Sequence, residues 1–298
     1  MISKGKMITG SMVAIVTPMQ EDGSLDMAAF RGLIDFHIAQ GTDGIVVVGT
    51  TGESPTVNVE EHELLIAEAV KHAAKRIPII AGTGANSTKE AIELASFSKK
   101  AGADASLTVV PYYNKPTQEG LYQHFKAIND AIGIPIIIYN IPGRSVIDMS
   151  VDTMKRLFDC NNIAGVKDAT ANMVRVSQQR AAMGPDFNQL SGEDATCLGF
   201  MAHGGHGCIS VTSNVAPRLC SEFHIAWQKG DLATALKLHD KLMPLHTNLF
   251  IESNPSPVKY ALSLLGKIDE TLRLPMVPVS EPTRVAVRSA MVHAGLIN

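Results

Sequence analysis

Ile134-Pro-Ile-Ile-Ile-Tyr139 is an apolar run that lacks the alternation of apolar and polar residues typical of a strand with one face in water. Strands of this kind are buried on both faces, as in a parallel sheet. Consecutive parallel strands need a crossover connection, which is usually a helix. The run therefore predicts a parallel α/β fold with further strands and with helical segments between them.

Seven other short runs have a similar character, and longer segments with helical spacing separate them. The eight candidate strands are Val13 to Thr17, Ile45 to Val48, Ile77 to Ala81, Ala105 to Val110, Ile134 to Tyr139, Ile163 to Val166, Asn188 to Leu190 and Cys208 to Val211. Several helical segments end in glycine, as at Gly41, Gly102 and Gly133. Eight units favour a (β/α)8 TIM barrel, and the absence of a G-x-G-x-x-G turn after the first strand argues against a dinucleotide-binding sheet.

The pattern changes after the eighth run. Four further helices are predicted with no strand between them, at Val215 to Gly230, Leu232 to Phe250, Val258 to Leu265 and Glu281 to Leu296. The first of them closes the barrel. We therefore predict a barrel domain over residues 1–230, which carries the active site, and a helical C-terminal extension over residues 231–298. A chain of 298 residues is long enough for this, since barrels commonly need about 250 residues.

Charge and hydropathy argue against several classes of protein. The chain has 26 basic and 29 acidic residues and a net charge of −3, with no run of like charge. Nucleic acid and an anionic membrane are therefore not expected as partners. The longest apolar stretches are far shorter than the roughly 20 residues that span a bilayer. Met1 to Gly10 carries Lys4 and Lys6, but no apolar signal core follows. We expect a cytoplasmic protein.

Metal and disulfide chemistry are not indicated either. The four cysteines, Cys160, Cys197, Cys208 and Cys220, are widely spaced and form no C-x-x-C pair, so we expect reduced, packed thiols. His203-Gly-Gly-His206 offers two ligands on a flexible link with no further ligand clustered nearby. We assign no metal site.

Lys167 is the most informative residue, because active-site residues of a barrel lie at the carboxyl ends of its strands. It closes the run Ile163-Ala-Gly-Val-Lys167, and strand alternation turns its side chain inward with those of Ile163 and Gly165. An inward lysine is costly unless it is paired or used. One interpretation is an ion pair with Asp168 or another acid. The other is a Schiff base, which requires the neutral amine that an apolar interior favours.

Other strand ends carry polar groups that suit such chemistry. Tyr139 closes the strand beside that of the lysine; it is either a proton shuttle or a core aromatic residue. Gly49-Thr-Thr-Gly-Glu-Ser54 precedes a helix that begins near Asn58, and its hydroxyl and N–H groups form either a carboxylate site or a simple turn. Arg144 follows a Pro-Gly turn and can grip a carboxylate, although loop arginines are usually solvated.

Five motifs of the chain occur in the order and spacing of the dihydrodipicolinate synthase family, which the chain resembles over nearly its whole length. They are Gly49-Thr-Thr-Gly-Glu-Ser54, Pro111-Tyr-Tyr-Asn114, Tyr139-Asn-Ile-Pro-Gly-Arg144, Gly165-Val-Lys-Asp168 and Ser253-Asn-Pro255. The resemblance implies a barrel that condenses pyruvate with L-aspartate 4-semialdehyde to 4-hydroxy-tetrahydrodipicolinate, at the entry to the diaminopimelate route to lysine. It implies no organic cofactor.

The resemblance also implies catalytic roles. Lys167 would form the imine with pyruvate, and Thr50, Tyr139 and Tyr113 would form a proton relay. The expected assembly is a homotetramer, a dimer of tight dimers. In it Tyr113 reaches into the partner's site and Tyr112 lies at the same interface.

Binding residues follow from the same resemblance. Thr51 would hold the carboxylate of pyruvate and Arg144 that of the semialdehyde, while Gly192 and Ile209 would line the pocket. Two rival functions remain. A pyruvate lyase, such as N-acetylneuraminate lyase or a 2-keto-3-deoxy sugar-acid aldolase, would share the lysine, but Thr51, Tyr113 and Arg144 together favour the synthase. A non-enzymatic keto-acid or amino-acid sensor would have no need of a desolvated lysine.

Feedback inhibition by L-lysine is a separate hypothesis. Five residues match positions that line the effector site in sensitive members: Ser54, His62, Asn86, Glu90 and Tyr112. Pro55 and Val59 depart from the pattern, because sensitive members often have a small residue and a histidine there.

Overall fold

A computed structural model of the chain describes residues 8 to 298. Within them eight strands form a closed barrel in which the strands follow one another in chain order. The strands are β1 (Gly10–Ala14), β2 (Gly44–Val47), β3 (Ile79–Gly82), β4 (Ala105–Val109), β5 (Ile136–Asn140), β6 (Ile163–Asp168), β7 (Asn188–Ser191) and β8 (Gly207–Ser210). The predicted (β/α)8 barrel is confirmed. Lys4 and Lys6 of the N-terminal stretch considered above lie outside the described residues.

At least one helix follows each strand. In chain order the helices are α1 (Met27–Ala39), α2 (Val59–Ala73), α3 (Thr88–Ala101), α4 (Gln118–Ala131), α5 (Pro142–Ser145), α6 (Val151–Phe158), α7 (Met173–Met183), α8 (Cys197–Ala202), α9 (Pro217–Gln228), α10 (Leu232–Asn248), α11 (Ser256–Leu264) and α12 (Glu281–Ala294). The four predicted C-terminal helices are thus present as α9 to α12. The domain boundary at residue 230 stays a prediction. No helix of residues 8–298 is long and apolar enough to cross a membrane.

Local chemistry explains where several helices begin and end. The helix predicted near Asn58 begins with a capping box: Asn58 Oδ1 accepts from Glu61 N at 2.8 Å, and Asn58 N donates to Glu61 Oε2 at 3.1 Å. Gly102 ends α3 in the left-handed region at φ 92°. Gly133 differs from expectation, because α4 ends at Ala131 and its cap, Ile132, is extended.

The first strand lies three residues earlier than predicted, at Gly10–Ala14 instead of Val13 to Thr17. Ile15 N still donates to Val46 O of β2 at 3.0 Å, but from Val16 onward the chain's polar groups bond to partners outside the sheet. Val16 N donates to the side chain of Asn214 at 3.2 Å, and the Thr17 hydroxyl donates to Gly52 O at 2.7 Å. Apolar residues continue past the strand, so the hydrophobic pattern alone placed its end too late.

The chain divides into two compact units. The first comprises Pro78–Ile209 with the described residues before β1, and it contains β3 to β7 and β8 as far as Ile209. Its core includes Phe125, Ile138 and Phe187, all fully buried. Phe158 packs edge-on against Phe187, with ring centroids 5.2 Å apart. This unit carries Lys167.

The second unit comprises Gly10–Ile77 and Ser210–Asn298, and it contains β1, β2 and the helices α9 to α12. Helix α10 packs against both α9 and α12. Leu242 of α10 and Met291 of α12 are fully buried. This unit carries the turn between β2 and α2.

Candidate active site

In the first unit, an irregular register places Tyr139 next to Lys167. Ile136 of β5 lies opposite Ile163 of β6, but Ile137 lies opposite Gly165, so β6 holds one extra residue, Ala164. From there the strands run in step, and Tyr139 pairs with Lys167. Paired residues of neighbouring strands face the same side of a sheet. The phenol and the amine are therefore brought together.

The side chain of Lys167 is buried, with 6% of the residue exposed. Its Nζ lies 4.1 Å from the centroid of the Tyr139 ring, within the range of a cation–π contact. Gly192, at the end of β7, makes room for it: a Cβ on Gly192 would lie 3.1 Å from Lys167 Cε and 2.8 Å from Ala169 Cβ. The Lys167 side chain thus has its amine beside the ring of Tyr139 and its Cε beside Gly192, which carries no side chain.

Asp168 faces other partners. Its carboxylate accepts hydrogen bonds from Gln179 Nε2 at 3.1 Å and from the Thr170 hydroxyl at 2.6 Å. Arg175 Nε lies 3.3 Å from the same carboxylate, as an ionic contact. Successive strand residues point to opposite faces, so Asp168 turns away from the side of Lys167. The alternative interpretation was an ion pair of Lys167 with Asp168 or another acid, and these contacts contradict the pairing with Asp168.

Arg144 lies in the short helix α5, and its side chain is exposed. Glu193 follows Gly192, and the charges of both Lys167 and Arg144 affect the pKa of its carboxyl group. Burial raises the pKa of the Glu193 carboxyl and Asp194 raises it further, whereas the charges of Lys167 and Arg144 lower it. The sequence interpretation missed Glu193. Its position directly after a strand end was the available signal, but the predicted strand, Asn188 to Leu190, was too short to draw attention to it.

Of two further predicted site residues in this unit, one is buried and the other is exposed. Ile209 of β8 is buried, with 1% exposed. Tyr113 follows β4 with a left-handed backbone, at φ 71°, and its side chain is 87% exposed. Tyr113 is therefore not packed into the group formed by Tyr139, Lys167 and Gly192.

In the second unit, Thr50 and Thr51 lie in a tight turn after β2. Thr50 is half-buried and Thr51 is buried. The later amides of the turn bond inside it: Gly52 N donates to Gly49 O at 3.0 Å, and Glu53 N donates to Thr50 O at 3.1 Å. These amides are not available to an anion, contrary to part of the carboxylate-site prediction.

The side chain of Thr51 has a defined partner from the segment before α11. Asn254 Nδ2 donates to Thr51 Oγ1 at 2.9 Å. Asn254 belongs to the motif Ser253-Asn-Pro255, for which no role was predicted from the sequence. An amide that donates to a hydroxyl occupies acceptor capacity and leaves the hydroxyl proton for another acceptor. The Thr51 hydroxyl is thus able to donate to a further group.

The five predicted effector residues divide between the units. In the first, burial raises the pKa of Tyr112, and the charge of Glu90 raises it further, so these two lie near each other. The backbone carbonyl of Asn86 accepts from Asn114 Nδ2 at 2.9 Å. In the second, Ser54 begins a short 3₁₀ helix and His62 is buried on α2.

The two histidines of the motif His203-Gly-Gly-His206 contact polar groups of neighbouring segments. His206 Nδ1 accepts from Gln189 N at 3.0 Å, and His203 Nδ1 lies 3.2 Å from the Ser177 hydroxyl. Within residues 8–298 no group of three or more His, Cys, Asp or Glu side chains is arranged to hold a metal ion. The four cysteines form no disulfide.

Known proteins resemble the chain along nearly its whole length. The sequence pattern of the dihydrodipicolinate synthetase family matches residues 7–294. A 4-hydroxy-tetrahydrodipicolinate synthase of Bradyrhizobium diazoefficiens is 78% identical over 289 residues, which are 97% of each chain.

Two solved structures share the fold. The chloride-inhibited dihydrodipicolinate synthase of Acinetobacter baumannii, complexed with pyruvate, matches with a TM-score of 0.95 at 50% identity, over 98% of this chain and 100% of the other. DHDPS from Cyanidioschyzon merolae with lysine bound matches with a TM-score of 0.95 at 38% identity, over 98% and 100% of the two chains.

Proposed function

The chain belongs to the dihydrodipicolinate synthetase family, and we propose that it condenses pyruvate with L-aspartate 4-semialdehyde to form 4-hydroxy-tetrahydrodipicolinate. This reaction is the first committed step of the diaminopimelate route to lysine. The observation that carries the proposal is the buried amine of Lys167 over the ring of Tyr139, at the ends of two paired strands. The bound pyruvate of the Acinetobacter relative supports the choice of first substrate.

In the proposed reaction Lys167 forms an imine with the keto carbon of pyruvate. The neutral amine attacks the carbonyl carbon, and the carbonyl oxygen leaves as water with the two protons of the amine. Those protons have to be moved between nitrogen and oxygen. Tyr139 lies against Lys167, and we assign it this transfer together with Thr50 and Tyr113.

Carbon–carbon bond formation follows from the imine. Loss of a methyl proton gives an enamine, whose carbon attacks the aldehyde of the semialdehyde. The amino group of the semialdehyde then displaces Lys167 as the ring closes, so the free lysine is restored. These reaction steps consume no oxidant or reductant, and we propose no cofactor.

We assign the two carboxylates to different residues. Thr51 binds that of pyruvate, which the ability of its hydroxyl to donate supports. Arg144 binds that of the semialdehyde, which its exposure on a short helix after β5 supports. Gly192 and Ile209 line the pocket: the first leaves room beside Lys167, and the second is a buried residue of β8.

The proposed assembly is a homotetramer, a dimer of dimers, in which Tyr113 enters the partner's site. Its side chain is almost fully exposed on a left-handed backbone, an arrangement that costs free energy in an isolated chain. An interface that buries the ring offsets that cost. Tyr112 is exposed as well, and we assign it to the same interface.

We further propose L-lysine as an effector and the cytoplasm as the location. The lysine-bound relative from Cyanidioschyzon merolae and the proximity of Glu90 to Tyr112 support the effector. Cysteines without disulfides suit a reducing compartment. We expect activity to fall at saturating L-lysine and to be less sensitive in Glu90→Gln. Unchanged activity of the wild type at saturating L-lysine would remove the effector.

Borohydride trapping tests the Schiff base. We expect sodium borohydride with pyruvate to add a reduced pyruvate adduct to Lys167, measured by intact mass and peptide mapping, and to abolish condensation. Lys167→Ala should lose both the adduct and the activity. Lys237→Ala, at an exposed position on α10, is the control and should behave as wild type. An unchanged mass of the wild type after treatment contradicts the proposal.

The second substrate is tested separately. Pyruvate is offered with L-aspartate 4-semialdehyde or with N-acetylmannosamine, and we expect product only from the first. Arg144→Ala should still be trapped by borohydride but should condense poorly, because its partner is the second carboxylate. Undiminished condensation by Arg144→Ala would refute that role. Product from N-acetylmannosamine would favour a sugar-acid lyase.

A further inference from the structure

The turn that carries Thr50 and Thr51 is strained at both ends. Val48 and Glu53 have left-handed backbones, at φ 53° and 59°. A β-branched residue such as Val48 rarely adopts this region, and neither residue is a glycine. A Cβ on Gly52 would lie 3.0 Å from Val48 Cα, so the turn also closes tightly on itself. Such a conformation persists only where its surroundings hold it.

Glu53 is held by a buried ion pair. Lys259 Nζ of α11 lies 2.6 Å from Glu53 Oε1, and the side chains are 0% and 1% exposed. The other carboxylate oxygen, Oε2, accepts from Arg273 N at 3.2 Å. Burial lowers the pKa of Lys259, and the charge of Glu53 opposes this. Both oxygens of the carboxylate are thus engaged at the strained end of the turn.

Lys259 also reaches the turn by a second route. Its Nζ donates to Thr17 O at 2.9 Å, and the hydroxyl of the same Thr17 donates to Gly52 O at 2.7 Å. One ammonium group therefore fixes the Glu53 side chain and the residue that holds the carbonyl of Gly52. These contacts all lie within the second unit.

Stability alone gives a poor reason for this arrangement. Desolvation of two charges offsets much of their attraction, and apolar residues of similar volume often replace a buried pair without loss. What an ion pair adds is a defined geometry, here at the turn that carries two residues assigned to the reaction.

We propose that Lys259 is a positioning residue, which acts through Glu53 to hold the turn at residues 49–54 in the conformation that binds the pyruvate carboxylate. The inference rests on the proposed function, since it assigns the consequence to pyruvate. It predicts an effect on pyruvate and little effect on the semialdehyde, whose carboxylate we assign to Arg144.

The double variant Glu53→Gln/Lys259→Met tests this, because it removes both charges and leaves neither buried alone. We measure borohydride trapping against pyruvate concentration, the KM of each substrate, and urea unfolding. We expect the pyruvate half-saturation of trapping and the pyruvate KM to rise at least about tenfold, equivalent to about 1.4 kcal/mol. The semialdehyde KM should change less than about twofold.

The control is Glu270→Gln/Arg284→Met, which removes a different ion pair of the same unit, with its atoms 2.7 Å apart. Arg284 also lies over the ring of Tyr260, so this control loosens α11 without touching Glu53. It should leave the pyruvate half-saturation unchanged. An equal rise in both double variants overturns the inference, because general loosening then explains it.

A folded Glu53→Gln/Lys259→Met enzyme with the pyruvate half-saturation of the wild type also overturns it. If that variant does not fold, Glu53→Gln decides: we expect about a threefold rise, and no rise overturns the inference. Absence of trapping in the wild type would instead refute the proposed function, and this inference with it.

Discussion

Gly192→Ala tests the position of the Lys167 side chain directly. The added Cβ would lie 2.8 Å from Ala169 Cβ and 3.1 Å from Lys167 Cε. Both backbones are tied down: Gly192 N donates to Asp168 O at 2.7 Å, and Ala169 N donates to Asn140 O at 2.9 Å. The contact with Ala169 Cβ can be relieved only by a shift of these main chains, which costs stability, whereas the contact with Lys167 Cε is relieved by a displacement of the long lysine side chain.

The size of the effect follows from these distances. Carbon atoms prefer separations of about 3.5 Å or more, so the contact with Ala169 is short by about 0.7 Å and that with Lys167 by about 0.4 Å. Overpacking of this order typically lowers the free energy of unfolding by about 1–3 kcal/mol. A displacement of about 1 Å at a reacting group costs about 10²-fold in rate. We therefore expect imine formation to slow by about 10- to 100-fold.

The assay is the rate of borohydride-trapped adduct at saturating pyruvate, with urea unfolding to measure stability. Gly199→Ala, on helix α8 of the same unit, is the matched control, because its Cβ would meet only the side chain of Met173, with Sδ at 3.6 Å and Cγ at 3.9 Å, which are ordinary contacts. It should trap at the wild-type rate. A folded Gly192→Ala enzyme that also traps at that rate would refute the packing of Lys167 against Gly192.

Two further predictions concern buried charge. Burial, aided by the charge of Lys267, lowers the pKa of His37 from 6.5 to about 3, so the folded protein holds it neutral. The unfolded chain binds a proton below about pH 6.5. Stability is therefore fully present above that pH and falls by up to about 1.4 kcal/mol per pH unit towards pH 3. In urea unfolding between pH 7 and 5, His37→Gln should remove part of this slope and the exposed His293→Gln should not; equal slopes in wild type and His37→Gln would contradict the assignment. Arg175→Met should cost about 3–5 kcal/mol of unfolding free energy, because it leaves the buried carboxylate of Asp168 without its cation and also removes the ion pair with Asp148; Asp168→Asn in the same chain should restore the part that is due to Asp168, and a loss of which nothing is restored would count against the contact with Asp168.

Much of the fold was predictable because hydrophobic periodicity is a local property. Runs such as Ile134 to Tyr139 predicted strands within two residues of their observed bounds, and Asn58 marked the start of α2. The first strand was misplaced because the apolar pattern continues through Ile15 and Val16, whereas strand pairing does not. The partner that ends it, Asn214, is 198 residues away from Val16, beyond any local signal.

Of the candidate site, the strand-end residues were predictable from the sequence, but the register that joins them was not. Lys167 and Tyr139 stand at strand ends, and their pairing follows from consecutive strands in a barrel. The register that puts them side by side depends on an extra residue in β6, which hydrophobicity does not mark. Lys259 could not be assigned, because it reads as one more polar residue of an amphipathic helix. Only its full burial against Glu53 distinguishes it.

The extra residue at Ala164 has a consequence for engineering this barrel. If β6 kept all its residues but paired with β5 without the irregularity, the register at Ile136 would carry through, and Lys167 would lie opposite Asn140 instead of Tyr139. The same amine on the same strand would then meet an amide side chain. A graft of the lysine and tyrosine onto another parallel barrel would therefore have to copy the irregularity near the start of the strand, or leave out one residue between that point and the lysine.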